Sequence, residues 1–318
     1  MIAVFESILP IFAIVVLGFA LRKSDFVPAE HWRVVEELCF WIFFPAILAL
    51  TMINADLSSV ELGAFTLTLS AVLATVGLLT LSYWPVLKRT LGTSKPQYST
   101  IYQTTTRWHG FIALAIVLKL FGDDGAALVA VYFVISVPVL QISNILVLVA
   151  FSKNARKGSR IDFRQIGKTI IINPIIWGVL GGFAVNLSGV TVWDPVMTGL
   201  DLLGRAALGT SLLALGAGLS LKAALRPSKE LLIGVVGKLL ITPLVAVGWA
   251  LVFGVSGMAL SVLLVGASVP TAMNGYLLAK KMGGDADLYA ATSTVQTVVS
   301  FFTIPLILWL AQNWAGAL

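Results

Sequence analysis

Long apolar stretches separated by short polar connections run along the whole chain. They recur at lengths of roughly twenty residues, and a helix of that length crosses a hydrocarbon core of about 30 Å. The pattern predicts spans at residues 3–21, 32–54, 61–84, 98–121, 127–151, 166–187, 195–220, 229–254, 258–280 and 288–312. The first stretch is followed, not preceded, by Arg22 and Lys23, which favours a retained helix over a signal peptide. The sequence therefore predicts an all-α membrane protein with ten transmembrane helices.

Basic residues fall in alternate connections between the predicted spans. The odd-numbered connections carry Arg22, Lys23, Arg33, Lys88, Arg89, Lys95, Lys153, Arg156, Lys157, Arg160, Arg164, Lys168, Lys222, Arg226, Lys229, Lys280 and Lys281. The even-numbered connections carry Asp56, Glu61, Asp123, Asp124 and Asp194, with Lys119 as a basic exception nearby. Because Lys and Arg favour the cytoplasmic side, we expect the odd connections to be cytoplasmic. Both termini would then lie outside a plasma membrane or bacterial inner membrane.

Composition and residue chemistry narrow the function. Of 318 residues, 58% are apolar and 11% are charged, too few charges for the surface of a soluble domain. The formal net charge is +6, and its basic residues lie in short loops between the apolar spans. This placement indicates a membrane topology and argues against a nucleic-acid-binding protein. The single Cys39 excludes an intramolecular disulfide, and two histidines cannot form a zinc site alone. No phosphate-binding P-loop motif is present, so we expect no cofactor, with H⁺ or Na⁺ as the candidate coupling ions.

An internal repeat relates the two halves of the chain. A Pro-Ile pair followed by Gly-Phe-Ala occurs at 10–20 in span one and again at 174–184 in span six. Further pairs follow in the same order: 47–50 with 212–215, Glu36 with Asp201, and 136–138 with 303–305. Because each copy holds five spans, an odd number, the two copies must cross the membrane in opposite directions. We therefore expect a first repeat at 1–151, a cytoplasmic basic linker at 152–165 and an inverted second repeat at 166–318.

Spans four and nine contain stretches that predict interrupted helices. Span four carries a polar island at 104–110, and span nine carries Pro270 among small and polar residues at 268–275. Breaks at corresponding positions of two repeats are typical of a transporter's substrate site, because half-helices aim free N–H groups at the midplane. Such a site suits a carboxylate, to which Arg107 would add a charge and a bidentate donor, with Asn274 on the other break.

Each of these residues also has a plainer interpretation. Pro270 is consistent with a simple kink, and Arg107 with a structural charge in the inner vestibule or one paired with a distant acid. His109 is consistent with proton coupling and equally with a buried, neutral imidazole.

Other charged groups also fall inside predicted spans. Asp201 and Arg205 stand one helical turn apart in span seven, which predicts a structural ion pair. Lys238 in span eight has no local partner in the sequence, which is typical of a lysine that snorkels toward the cytoplasm.

The motifs around the predicted breaks resemble those of the auxin efflux carrier family. The similarity is carried by segments at 173–176, 203–207, 212–217, 270–281 (PTAMNGYLLAKK), 283–285 and 303–306. It implies ten helices in a 5+5 inverted repeat, with spans four and nine crossing near the midplane, as in the structurally related bile acid:sodium symporters. Spans one, two, six and seven would form a scaffold that commonly dimerises, and spans 3–5 and 8–10 a transport domain that moves like an elevator. Members of this family carry organic anions, from auxin to malate or malonate.

The family's span-four pattern, Arg-Asn-x-Gly-Phe-Ile-Gly-Leu-Pro, is matched in part by residues 107–115. Here Trp108 replaces the crossover asparagine and Ala115 replaces the helix-breaking proline, and an indole there would stack on a substrate or wall it off. Gln141 matches a glutamine that lines the auxin site in the plant carriers, although a lone glutamine is also consistent with an interhelical hydrogen bond. The implied substrate-binding residues are Arg107, Trp108, His109, Gln141, Pro270, Thr271 and Asn274.

The leading interpretation is a secondary transporter of a small organic anion, a mono- or dicarboxylate. A sodium-coupled symporter is the closest alternative, for which oxygen ligands are offered by Thr271, Asn274, Thr294 and Gln296. A non-transporting sensor or scaffold would normally carry a soluble output domain, and an enzyme would need a catalytic cluster that the chain lacks. We therefore expect no enzyme activity, a lipid bilayer around the helices and a homodimer formed through the scaffold.

Overall fold

A computed structural model describes residues 2–28, 30–55, 62–151 and 163–315, and these ranges are almost entirely helical. The helices are α1 (Ile2–Lys23), α2 (Trp32–Leu38), α3 (Phe44–Asn54), α4 (Leu62–Ser82), α5 (Trp84–Leu91), α6 (Lys95–Thr106), α7 (Gly110–Phe151), α8 (Phe163–Ile171), α9 (Pro174–Ser188), α10 (Asp194–Gly218), α11 (Leu221–Ala224), α12 (Lys229–Val236), α13 (Thr242–Phe253), α14 (Gly257–Ser268), α15 (Asn274–Met282) and α16 (Ala286–Ala315). Two π-helical turns join neighbouring helices, at Cys39–Phe43 and at Gly237–Ile241. The prediction of an all-α membrane protein is confirmed.

Within the described ranges, six helical stretches are long and apolar enough to cross a membrane. They are Trp32–Asn54, Leu62–Leu91, Lys95–Phe151, Asp194–Gly218, Lys229–Phe253 and Ala286–Ala311, with shorter apolar helices at Pro174–Ser188 and Gly257–Ser268. Length and composition therefore do not confirm ten separate spans, because several predicted spans are interrupted or joined. Predicted spans four and five form one stretch, which is interrupted before Gly110 and turns at Gly122 (φ 61°, ψ −151°).

Predicted span six is two helices instead of one. α8 ends at Ile171, and α9 begins at Pro174 after the side-chain oxygen of Asn173 accepts the Ile175 N–H at 3.0 Å. An Asn N-cap followed by proline is a strong helix start, so the chain begins a new helix there. Of the predicted linker at 152–165, residues 152–162 lie outside the described ranges, and the remainder belongs to α8.

One group of helices, α1, α3, α9 and α10, is held together by close helix crossings. α1 packs along α10, and α9 packs along α3. At Gly18 a Cβ atom would overlap the carbonyl of Leu213, and at Gly182 it would lie 2.5 Å from the carbonyl oxygen of Ala49. Because glycine carries no Cβ, the backbones approach closely enough for dense packing. Gly18 and Gly182 are matched positions of the predicted repeat, and each faces a helix of the other half.

A second group of helices surrounds the two predicted breaks. α4 packs on α13, α14 packs on α7 and α16, and α6 packs on α7 and α12. The two groups meet at a parallel stack of Phe44 on Phe111, with ring centroids 3.4 Å apart. They also meet where the Ser220 N–H donates to the Thr294 hydroxyl at 2.9 Å. This second group is called the bundle below and comprises α4, α6, α7 and α12–α16.

Candidate functional site

The first interruption lies between α6 and α7, at the polar island. α6 ends at Thr106, and Arg107 has an extended backbone (φ −69°, ψ 154°) although its N–H still donates to the Gln103 carbonyl at 3.0 Å. α7 starts at Gly110, where the ring of Phe133 occupies the place that a Cβ atom would need. The break predicted in span four is therefore present, and glycine is required where the chain resumes its helix.

The second interruption lies between α14 and α15. α14 ends at Ser268, the backbone at Val269 is extended (φ −67°, ψ 151°), and Pro270 follows before α15 resumes at Asn274. Side chains of α16 bond to the backbone of this break. The Tyr289 hydroxyl donates to the Ala272 carbonyl at 2.6 Å and lies 3.0 Å from the Thr271 hydroxyl. The break predicted in span nine is present, and an aromatic side chain that the sequence did not single out stabilises it.

Gln296 on α16 connects the two interruptions. Its carboxamide oxygen accepts the Thr271 N–H at 2.9 Å. Its carboxamide nitrogen donates to the carbonyl of Thr104 at 3.0 Å and to that of Gly234 at 2.9 Å. One buried side chain thus satisfies backbone groups of α6, α12 and the break after α14, as buried polar groups require.

The guanidinium of Arg107 lies between the two breaks. The side chain is 8% exposed, and its Nη1 donates to the Asn274 side-chain oxygen across 3.4 Å. Its Nε has no hydrogen-bond partner among the described residues, and Asn274 itself is exposed. The sequence predicted these two residues on opposite breaks, and the structure brings them together with donor capacity left over.

The bundle contains little negative charge to balance Arg107. In its described residues the carboxylates lie beside the turn at Gly122 (Asp123 and Asp124) or near helix starts (Glu230, Asp285 and Asp287). The ion pairs of the described residues are Arg33–Glu37 and Arg205–Asp201, and neither belongs to the bundle. A buried cation without a carboxylate partner is costly, so this centre favours an anion.

Trp108 and His109 use their side chains differently. The indole N–H of Trp108 donates to the Ser136 hydroxyl at 2.9 Å, and the ring packs on Tyr132 and Phe133. Its one donor is therefore already engaged and is not free for a substrate. His109 is buried against Phe111, and its Nδ1 has no partner among the described residues.

Two polar side chains of α6 and α7 make no hydrogen bond within the described part of the chain. Gln141 is half-buried on α7. Gln103 is fully buried on α6, and neither its oxygen nor its nitrogen has a partner there. Gln103 stands one turn before Arg107, so the two side chains share a helix face. The i,i+4 spacing within the polar stretch was the available signal for Gln103, which the sequence interpretation missed.

The oxygens considered for sodium are largely engaged with one another. Thr271 bonds to Gln296 and Tyr289, and the Thr294 hydroxyl donates to the Ala290 carbonyl at 2.8 Å while accepting the Ser220 N–H. Among the described residues no group of three or more His, Cys, Asp and Glu side chains is placed to hold a metal ion.

The ion pair in α10 lies apart from this centre. Arg205 Nε is 2.8 Å from the Asp201 carboxylate oxygen, the geometry expected for neighbours one turn apart. Their side chains are 77% and 40% exposed, near the middle of a helix long enough to span the membrane.

Two interrupted helices that meet around a buried cation are typical of membrane transporters. Comparison with known proteins agrees, because the model of the membrane transport protein family matches residues 3–165 and 162–308. The chain belongs to this family, which confirms the resemblance to the auxin efflux carriers. It is 27% identical to an uncharacterized transporter of Methanothermobacter thermautotrophicus, over 95% of this chain and 96% of that protein. It is 22% identical to an uncharacterized transporter of Methanocaldococcus jannaschii, over 97% of this chain and 99% of that protein.

Proposed function

We propose that the protein is a secondary transporter of a small organic anion, a mono- or dicarboxylate, in a plasma or bacterial inner membrane. The observation that carries this proposal is Arg107, a buried guanidinium between two helix breaks with an unpartnered Nε. Guanidinium binds carboxylate through parallel N–H donors, and Asn274 beside it offers a carboxamide. The N-termini of α7 and α15 follow the two breaks and add partial positive charge.

The proposed architecture is the ten-span, 5+5 inverted repeat of the family. It is supported by the matched crossings of Gly18 on Leu213 and Gly182 on Ala49, each joining one half of the chain to the other. Under this proposal spans one, two, six and seven form a scaffold, and the bundle is the transport domain. The alternating basic connections support a topology with both termini outside.

Transport would proceed by elevator-type movement of the bundle along the scaffold. The contacts that must change include the stack of Phe44 on Phe111, the packing of Phe12 on Phe301 and the hydrogen bond from the Ser220 N–H to Thr294. An inside-negative potential drives an anion outward by about 2.3 kcal/mol per charge per 100 mV, so efflux needs no coupled ion.

We also propose that the scaffold forms a homodimer. The Asp201–Arg205 pair is exposed near the middle of α10, where contact with lipid tails would be costly for charged groups. A second copy packed on this face would remove the pair from lipid and leave its internal neutralisation intact.

Uptake by reconstituted proteoliposomes tests the proposed function. We expect labelled mono- or dicarboxylates to enter vesicles that contain the protein and not vesicles without it. Arg107→Ala should reduce transport at least about 100-fold, since loss of a buried charge-assisted contact costs about 3 kcal/mol. Arg107→Lys should recover only part, because an ammonium lacks the planar fork of donors.

Arg205→Ala is the matched control, because it also removes an arginine from a membrane helix but lies apart from the breaks. It should leave the apparent affinity for the anion unchanged. If no carboxylate is bound or moved by the wild-type protein, the organic-anion proposal is wrong. If Arg107→Ala keeps wild-type affinity, Arg107 does not belong to the substrate site.

A further inference from the structure

Two basic side chains of the predicted spans and loops have contrasting positions in the structure. The snorkelling predicted for Lys238 does not occur, because its side chain is 1% exposed and does not reach the surface. Arg22, in the last turn of α1, reaches the end of the neighbouring helix α10. Its Nη1 donates to the carbonyl of Ala217 and lies 3.5 Å from the carbonyl oxygen of Leu219. Arg22 therefore caps a helix end whose last carbonyls have no partner within the helix.

Asn186 makes the corresponding contact in the other half of the chain. It stands near the end of α9, and its Nδ2 donates to the carbonyls of Ile53 at 2.9 Å and Ala55 at 3.0 Å. These carbonyls lie at the end of α3, whose C-cap Ala55 has an extended backbone (φ −66°, ψ 132°). Leu219, the C-cap of α10, has nearly the same backbone (φ −66°, ψ 140°). Two different side chains thus satisfy the same kind of helix end.

A single offset along the chain relates the members of the two contacts. Each residue follows its counterpart by 164 positions: 186 after 22, 217 after 53 and 219 after 55. The same offset joins the Pro-Ile and Gly-Phe-Ala motifs of the predicted repeat. Because arginine and asparagine are unlike, the sequence gave no sign that these two positions are equivalent. The contacts that they make show it.

At both helix ends the chain passes from the group of α1, α3, α9 and α10 to the bundle. Directly after Leu219, the Ser220 N–H donates to Thr294 on α16 at 2.9 Å, and α11 beyond it packs along α16. After Ala55 the described chain resumes at Leu62, where α4 of the bundle begins. After α10, therefore, the partner of the chain changes from one group to the other within one residue.

We propose that Arg22 and Asn186 are equivalent positioning residues, two hinge clamps that hold the ends of α10 and α3. Hinges are typically a few residues at the end of an element. Each clamp keeps the last turn of its helix rigid, so the chain bends beyond residue 219 and beyond residue 55 when the bundle moves. Because the two repeats run in opposite directions, the clamps lie on opposite sides of the membrane. This inference rests on the proposed elevator movement and deepens it by locating its two pivots.

Two cross-links placed three residues apart on the chain test where it bends. In a Cys39→Ser background, Arg22→Cys with Ala217→Cys introduces one thiol on each side of the first clamp. Ser220→Cys with Thr294→Cys introduces one thiol on each side of the boundary with the bundle. Each pair is closed with the same bis-methanethiosulfonate linker in the purified protein before reconstitution, and uptake of a labelled carboxylate is measured with and without reductant.

The two closed pairs should behave in opposite ways. Closing the 22–217 pair should leave uptake at least as fast as in the reduced protein, because the clamp stays in place throughout the transport cycle. Closing the 220–294 pair should lower uptake at least about 10-fold, because these residues separate when the bundle moves past a fixed helix end.

Substitutions test the clamps without cysteines. Arg22→Met and Asn186→Leu remove the donors and keep side chains of similar length or size. Both should slow transport at least about threefold at an unchanged apparent affinity for the anion, because the binding residues lie in the bundle. Arg22→Lys, which keeps a cationic donor, should recover most of the rate. Lys23→Met removes the neighbouring exposed cation of α1 and is the control, with the wild-type rate expected.

A thermal-shift arm reads the same contacts without transport. The melting temperatures of Arg22→Met and Asn186→Leu should fall by at least about 2 °C, since each change leaves two helix-end carbonyls without their donor. Lys23→Met should melt with wild type.

The outcomes separate this inference from the proposed function. A wild-type protein that moves no carboxylate would overturn the proposed function. With wild-type transport intact, a closed 22–217 pair that stops uptake would overturn the hinge clamps alone, as would a closed 220–294 pair that leaves uptake unchanged. An Arg22→Met protein with the wild-type rate and melting temperature would do the same.

Discussion

At the scale of single residues, Gln296 shows how the broken helices remain stable inside the bundle. Each interruption leaves backbone donors and acceptors that lipid and apolar side chains cannot satisfy. The Gln296 carboxamide accepts a hydrogen bond from the Thr271 N–H and donates to the carbonyl oxygens of Thr104 and Gly234. A single fully buried side chain therefore fixes the relative positions of three helical segments beside Arg107.

Gln296→Ala is expected to destabilise the protein markedly. The change leaves the Thr271 N–H and the Thr104 carbonyl without this partner, and each such group costs about 1–3 kcal/mol. The Gly234 carbonyl still accepts the Gly237 N–H. The melting temperature of the purified protein should fall by at least about 4 °C, measured by a thermal-shift assay in detergent.

Gln141→Ala is the control for this substitution, because Gln141 makes no hydrogen bond within the described residues. Its melting temperature should stay within about 1 °C of wild type. Equal melting temperatures for both variants would contradict the role assigned to Gln296.

The positions of the breaks were predictable from local sequence, but their supporting contacts were not. Arg107 stands in a polar island, and Pro270 removes an N–H, and both signals lie within the break itself. Gln296 reaches partners 25 to 192 residues away, and no local pattern encodes such contacts. The position of Trp108 at the first break was predicted from the sequence. Its hydrogen bond to Ser136 was not predictable, because it depends on the packing of α7.

At the scale of helices, the two halves are joined where glycine allows backbones to touch. Adjacent glycines of α9 differ sharply in this respect. Gly182 is buried with the carbonyl oxygen of Ala49 2.5 Å from where its Cβ would lie, whereas Gly181 is exposed and has nothing within 4 Å. The pair offers a matched test of the crossing between α9 and α3.

We expect Gly182→Ala to destabilise the protein and Gly181→Ala to stabilise it slightly. A methyl group at 182 meets backbone, which cannot move cheaply, and such overpacking costs about 1–3 kcal/mol. At 181 alanine only improves helix propensity, by about 0.5–1 kcal/mol. Thermal-shift measurements should therefore separate the variants by several degrees in opposite directions from wild type. Similar melting temperatures would mean that the two helices do not cross as closely as the structure has them.

Helix boundaries were harder to predict than helix positions. The pair Asn173-Pro174 is a helix-start signal, but the apolar run at 166–187 continues across it, so the pattern of apolar residues alone predicted one span there. The π-helical turns were not predicted either, since an extra residue per turn leaves the apolar pattern nearly unchanged. One of these turns carries Lys238.

At the scale of the whole molecule, the helices divide into two groups, which meet where α1, α3, α9 and α10 pack against α7 and α16 of the bundle. Each group is held together by its own contacts. In one group α1 packs on α10 and α3 packs on α9, and in the bundle Gln296 connects several segments. The aromatic contacts between the groups, Phe44 with Phe111 and Phe12 with Phe301, are apolar, and the hydrogen bond from the Ser220 N–H to Thr294 adds a polar contact. Interfaces of this kind slide more easily than interlocked cores, which is why the elevator movement is assigned to this boundary.

A cross-link across this boundary should stop transport. In a Cys39→Ser background, Phe44→Cys with Phe111→Cys introduces one thiol on each side of this boundary, at the two residues whose rings stack in the wild-type protein. Closing the pair with a short bis-methanethiosulfonate cross-linker, which forms a reducible disulfide with each cysteine, should lower carboxylate uptake at least about 10-fold. Reductant should restore uptake, because a locked boundary forbids the movement while leaving the binding residues in place. Thr100→Cys with Asp285→Cys links two parts of the bundle that already exchange hydrogen bonds at 3.0 Å, so cross-linking it should leave uptake unchanged. Full uptake by the cross-linked 44–111 pair would mean that the anion crosses without relative movement of the two groups, and the elevator proposal would have to be abandoned.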